Sequence, residues 1–140
     1  MGLVNLTNGQ FELPGKLVLS ATATLPDFEA AFGKGAFQSR WKDNYSGFEE
    51  HFLASPIRIG EEKYLFTFFF KFGKLVATHF HVEQMNAATE NKSEEETYTY
   101  YRSWLDREIG RQREFPWGFC DLRFDPKSMF GYIELNYDVK

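Results

Sequence analysis

The stretch Lys63-Tyr64-Leu65-Phe66-Thr67-Phe68-Phe69-Phe70-Lys71-Phe72-Gly73-Lys74-Leu75-Val76-Ala77-Thr78-His79-Phe80-His81-Val82 decides the fold. Its first half is dense in aromatic and β-branched side chains, which suit a pleated, half-buried strand. Gly73 marks a turn, and the length of that turn decides which side chains share a face. A two-residue Gly73-Lys74 loop would set Phe68 opposite His79 and Phe66 opposite His81, mixing imidazoles into the aromatic face. A three-residue Lys71-Phe72-Gly73 loop places Gly73 in the left-handed position of a bulge turn. Phe66, Phe68 and Phe70 then share a face with Val76, Thr78, Phe80 and Val82, while Leu65, Thr67, Phe69, Ala77, His79 and His81 share the other. A slip of one residue moves every side chain to the opposite face. The second arrangement keeps polarity segregated and is the one expected.

Upstream of this hairpin, Phe48–Leu53 reads as extended, Ile57 and Ile59 alternate with Arg58, and Gly60-Glu61-Glu62 makes a turn. Before them, Thr24 can cap a short helix with Pro26 and Asp27 in its first turn. Leu25, Phe28, Ala31 and Phe32 recur at helical spacing, and Gly33 ends the run. Downstream, Ser93 and Glu96 form a capping box, with Glu94, Glu95 and Glu96 at the positive end of the helix dipole. Tyr98, Tyr101, Leu105 and Ile109 then make one stripe with Trp104 on its flank, up to Gly110. A final hairpin alternates Cys120, Leu122 and Phe124 against Asp121 and Arg123. It turns at Asp125-Pro126-Lys127-Ser128 and returns with Ile133, Leu135 and Tyr137 against Tyr132, Glu134 and Asn136. Residues 11–19, divided by Pro14-Gly15, add an optional edge strand. The order is thus an optional strand, a helix, three strands, a helix and two strands. Short connections favour antiparallel pairing. The expected fold is α+β: a single antiparallel sheet of five to six strands with two helices packed on one face.

Composition bounds the function. The 140 residues carry 16 Lys and Arg against 20 Asp and Glu, a net charge of −4, and one cysteine. That balance argues against nucleic acid as a partner, whose binding needs a basic footprint. A single cysteine can form neither an internal disulfide nor a cysteine-based zinc cage. The most apolar stretch, residues 64–72, is far too short for a membrane-spanning helix and carries Thr67 and Lys71. Residues 1–10 have neither a positive start nor an apolar run of signal-peptide length. The expectation is one domain over residues 1–140, soluble and cytoplasmic, with Cys120 reduced and residues 86–92 a connector. Aromatics make up 19% of the chain, including 16 phenylalanines, more than a routine core calls for.

Two constellations could carry chemistry. On a strand, His79, His81 and Glu83 point the same way, offering two imidazoles and a carboxylate to a divalent transition metal. The set is incomplete without a further donor, and His51 is the remaining histidine. The second constellation is the sheet face away from the helices. Trp117, Phe119, Asp121, Arg123, Tyr132 and Glu134 would interleave aromatics with charge there, the composition of protein-binding surfaces. Cys120 alternates with core positions and so reads as packing rather than a nucleophile. Gly33-Lys34-Gly35 follows a helix instead of opening one, which denies it the phosphate-binding mechanism of a helix N-terminus.

Three stretches together carry a resemblance: residues 11–15 through Thr24 and Phe28, the hairpin over residues 68–75, and Pro116-Trp117-Gly118 running to Asp125-Pro126-Lys127-Ser128 and Tyr132-Ile133-Glu134-Leu135. The chain resembles a group of small uncharacterised bacterial α+β proteins that end in a Trp-Gly, Asp-x-Lys, Tyr-strand hairpin. In element order it is also loosely similar to toxin-immunity and inhibitor-type proteins that set an antiparallel sheet against helices. That second likeness implies a non-enzymatic module using its outer sheet face to bind a protein partner, and an acidic chain would meet a basic partner faster. The alternatives are a metal-dependent enzyme built on His79, His81 and Glu83, and a binder of a small apolar ligand held between sheet and helices.

Overall fold

A computed structural model describes residues 3–13, 17–33, 35–83, 93–125 and 130–137. Among them the elements run β1 (Phe11–Leu13), β2 (Leu17–Leu19), α1 (Leu25–Phe32), β3 (Phe37–Lys42), β4 (Phe48–Leu53), β5 (Ile57–Ile59), β6 (Glu62–Lys71), β7 (Lys74–Val82), α2 (Glu94–Ile109), β8 (Glu114–Phe115), β9 (Gly118–Asp125) and β10 (Phe130–Asn136). The main sheet has eight strands in the spatial order β3-β4-β6-β7-β10-β9-β8, with β5 also paired to β6, and β1 and β2 form a separate two-stranded sheet. The described strand pairings are antiparallel. The α+β class therefore holds, but the expected single sheet of five to six strands is too small. Residues 11–19 make their own hairpin rather than an edge strand, and β3 and β8 were not anticipated. β3 hides from pattern reading for a physical reason. It is an edge strand with buried Phe37 followed by exposed residues, and a bulge between Ser39 and Trp41 breaks its period of two. No helix among the described residues is long and apolar enough to cross a membrane. The connector at 86–92, the Pro14-Gly15 division and the 126–128 portion of the last turn lie outside the described residues.

The deciding hairpin keeps the expected faces but turns differently. Phe72 and Gly73 both have positive φ, at 49° and 80°, and Lys71 pairs directly with Lys74. The loop is thus the two residues Phe72-Gly73, of the type I′ kind. A bulge then shifts the register: Phe70 pairs with Leu75, while Phe69 pairs with Ala77. Beyond it, Phe68 faces Thr78 and Phe66 faces Phe80, as expected. The bulge moves Val76 off the core face and puts Leu75, 1% exposed, in its place.

Both helices cover this aromatic face. Thr24 N and Oγ1 donate to Asp27 Oδ2 at 3.0 and 2.9 Å, and Leu25 N donates to Gly73 O, tying the start of α1 to the hairpin turn. Phe28 then drops onto Phe68 and Phe70, with ring centroids 4.7 and 4.9 Å away. On α2 the capping box forms as expected, Glu96 N donating to Ser93 Oγ and Ser93 N to Glu96 Oε1. Its buried stripe is Thr97, Tyr101, Trp104, Leu105 and Ile109. Trp104 is thus at the centre rather than the flank, and Tyr98 moves to the edge, stacked on Phe124. The indole earns that place chemically: its ring meets Phe80 at 5.0 Å and its Nε1 donates to Tyr64 Oη at 2.8 Å, so the polar atom is satisfied. Val82 N donates to Tyr101 Oη at 3.0 Å in the same way. The helix lies so close to β10 that a Cβ at Gly131 would come within 2.6 Å of Thr97 Cγ2. Phe11 of the separate hairpin closes the same core against Phe66 and Phe80. The space between sheet and helices, where an apolar ligand would have to sit, is occupied by these rings.

Candidate functional site

The opposite face of the sheet is open. Strand register builds it in rows. Thr67, His79, Glu134 and Asp121 stand in line across β6, β7, β10 and β9, and Phe69, Ala77, Asn136 and Phe119 form the next row. Of the residues expected on this face, Phe119, Asp121, Arg123, Tyr132 and Glu134 are brought together here. Trp117 is not. Its indole stacks on Phe115 at 4.9 Å, contacts Tyr137 at 5.7 Å, and donates from Nε1 to Leu6 O at 2.9 Å. It clamps the N-terminal segment against the core, a role invisible without knowing where residues 5–9 return.

Glu134 is the electrostatic centre of the face. Arg123 Nε donates to its Oε1 at 3.1 Å and Asn136 Nδ2 to its Oε2 at 3.0 Å, and His79 Nε2 stands 3.7 Å from the same Oε2. Burial alone would raise this carboxyl, but the His79 imidazole, the Asn136 amide and the Arg123 guanidinium overcome it and hold the pKa down to about 2. Around this centre the charges are matched within the chain. The Arg123 guanidinium also lies 4.8 Å over Phe119, Arg113 Nε is 3.8 Å from Asp121 Oδ1, and Arg40 Nη1 is 2.7 Å from Glu50 Oε2.

His79 and His81 do point outward together. His79 sits between two rings, 4.5 Å from Phe69 and 4.5 Å from Tyr132, and His81 meets the edge of Phe130 at 4.7 Å. A depression of about 240 Å³ opens above them, walled by Arg40, Glu50, Phe69, Phe130 and Tyr132. Burial lowers the His81 pKa, with Glu83 pulling the other way, so this imidazole is biased toward its neutral form. Glu83 lies just past the end of β7 and is exposed. His51 cannot complete a donor set, because it faces the core: it is 7% exposed, stacked on Phe37 at 4.7 Å. Among the described residues, no three His, Cys, Asp or Glu side chains gather closely enough to hold a metal ion. Cys120 is fully buried, and burial pushes its thiol up to about 12, so no thiolate is available for catalysis.

The residues missed by sequence reading are Arg40, Glu50, Phe52 and Phe130. Arg40 comes from the unanticipated β3, and its guanidinium lies 4.5 Å over the Phe52 ring. The alternation of Phe48, Glu50 and Phe52 on β4 is legible in the sequence and signals Glu50 and Phe52, whereas Arg40 and Phe130 lie on other strands.

No family model matches the chain, and no curated protein matches it. Among solved structures, the fold is similar to that of a chain in the complex described as "Rhs1-CT in complex with cognate immunity protein RhsI1". The TM-score is 0.63 at 21% identity, over 99% of this chain and 88% of that one.

Proposed function

We propose that this chain is a non-enzymatic, immunity-type binding module that meets a protein partner with the outer face of its sheet. The observation that carries the reading is the face itself: half-buried aromatics and imidazoles set among charges already matched within the chain. Burying a charge is costly unless it is paired. A face whose charges are internally paired can be covered by another protein at lower desolvation cost than one with lone charges, while its rings supply contact area. Phe119, Asp121, Arg123, Tyr132 and Glu134 are the contact residues, with Phe69, His79 and Phe130 beside them, and Trp117 supports the face indirectly through the N-terminal segment. The likeness to a chain of a complex that contains an immunity protein supports the same reading. At one end of the sheet Glu61, Glu62 and Glu83 border a depression together with Arg58 and Lys63. The net charge of −4 would speed encounter with a basic partner.

The experiment uses the polypeptide encoded beside this chain's gene as the probe. Titration calorimetry of the two purified proteins should show a complex, and Phe119→Ala, Arg123→Ala and Tyr132→Ala should each weaken it with the fold retained by circular dichroism. A complex indifferent to all three substitutions, or no complex, rejects the reading.

A further inference from the structure

We propose that the end of the sheet where the β3–β4 and β6–β7 turns meet is a second contact for the same protein partner, which receives it in an apolar pocket rimmed by carboxylates. This rests on the protein-binding reading above and adds a second patch to it. Tyr45 is 99% exposed and Phe72 is 74% exposed at this tip, and Trp41, 53% exposed, lies on the adjoining strand. Tyrosine, tryptophan and phenylalanine so placed are the usual anchors of protein contacts.

The tip is held rigid. Asp43 Oδ1 accepts from Tyr45 N at 3.0 Å, Asp43 Oδ2 accepts from Ser46 Oγ at 2.7 Å, and Asp43 O accepts from Gly47 N at 3.0 Å. Phe72 N donates to Gly47 O at 2.9 Å, which joins the two turns. The Phe72 ring lies over Gly47, where any Cβ would stand 2.4 Å from it. Side chains displayed on a rigid frame lose less entropy on binding.

Two features of the tip run against stability. Phe72, at φ 49°, is the one non-glycine residue with positive φ among those described. Its position in a type I′ turn suits Asn or Gly, and a bulky aromatic there is strained and, apart from its contact with Gly47, faces water. Lys71 and Lys74 stand directly opposite one another across the hairpin, and like charges so placed repel. Strain and repulsion of this kind concentrate where function requires them. The charge also identifies the complement. Lys42, Lys71 and Lys74 are exposed and make no ion pair among the described residues, and Lys71 Nζ lies 5.4 Å over the Phe48 ring. Of the neighbouring acids, Arg40 neutralises Glu50, Asp43 accepts only from the uncharged Tyr45 N and Ser46 Oγ and so keeps its charge, and Glu49 meets His51 at 3.2 Å. The tip therefore sets three lysines against Asp43 and Glu49, a small positive excess beside exposed aromatics on an acidic chain, and its complement is acidic and apolar.

The test measures binding to the polypeptide encoded beside this chain's gene, with thermal unfolding of each free variant. Tyr45→Ala and Phe72→Asn should each weaken the complex by about tenfold or more. The double reversal Lys71→Glu with Lys74→Glu should weaken it further and flatten its salt dependence. Phe72→Asn should meanwhile leave the melting temperature unchanged or higher, since asparagine accepts this φ. A drop of several degrees would mean that Phe72 serves the turn, and would overturn the proposal. Tip variants that bind like the wild type while Tyr132→Ala loses binding would overturn it and leave the sheet-face reading standing. A wild-type chain that does not bind at all removes both. Tight capture of a labelled single-stranded oligonucleotide, dependent on Tyr45 and the lysines, would assign the tip to nucleic acid and overturn it as well.

Discussion

Replacing Glu134 with glutamine tests the electrostatic centre of the outer face. The carboxyl is held near 2 against an ordinary value of 4.5. That interval, at about 1.4 kcal/mol per pH unit, corresponds to about 3 kcal/mol of folding stability from the ionised form. Because the folded pKa lies below the unfolded one, the contribution is present in full above about pH 5 and is lost as pH falls through about 2. The side chain is 14% exposed, so solvent screening removes little of it. Urea unfolding of the wild type and Glu134→Gln at pH 7, 5, 4, 3 and 2.5 reads the difference directly. The variant should be less stable at neutral pH, and the gap should close by about 2 kcal/mol or more on the way down to pH 2.5. A gap that stays constant across this range would refute the reasoning, since it would mean that the ionised carboxylate gains nothing from Arg123, Asn136 and His79. The same variant keeps the shape of the face, so its effect on partner binding separates charge from packing.

Gly131→Ala should cost about 1–3 kcal/mol in chemical denaturation, because the new Cβ would stand 2.6 Å from Thr97 Cγ2 and force α2 off the sheet. The companion change Thr97→Ser, which removes that methyl group, should recover part of the loss. The Cys120 thiol, pushed up to about 12 by burial, should resist a thiol reagent at pH 8 in the native protein and react fully in denaturant. Fast labelling of the native state would return Cys120 to consideration as a nucleophile. Stoichiometric zinc should leave the melting temperature unmoved, because among the described residues no third His, Cys, Asp or Glu side chain joins His79 and His81 in a donor set and His51 faces the core. A clear rise, abolished by the double substitution His79→Ala and His81→Ala, would restore the metal reading.

Local chemistry made much of the architecture legible. The cap at Thr24, the capping box at Ser93 and the glycines that end both helices involve residues within a few positions of each other, so α1 and α2 emerge with their bounds. Alternation over 66–70 and over 120–124 reports which side chains meet water, and those faces are correct because burial on one side of a pleat has a period of two. The bulges escaped for the same reason. An extra residue at Val76 or Arg40 breaks the period without leaving a signature in composition, so alternation alone puts Val76 on the wrong face and gives no sign of β3. The outer-face set was legible where it lay on one hairpin, as with Phe119, Arg123, Tyr132 and Glu134.

Sequence was enough to establish an antiparallel α+β domain with a phenylalanine core, two capped helices and an outward row of histidines. Each of those follows from propensity, capping and periodicity over neighbouring residues. Tertiary structure alone brought Arg40 to Glu50 beside the His79 depression, took Trp117 off the face to clamp Leu6, turned His51 inward, and joined Phe72 to Gly47 at the tip. These contacts join strands distant in the chain, and their register depends on bulges and on closing the whole sheet. The excess of phenylalanine accordingly divides in three: a core, a ring of aromatics around His79, and one exposed residue at a strained turn.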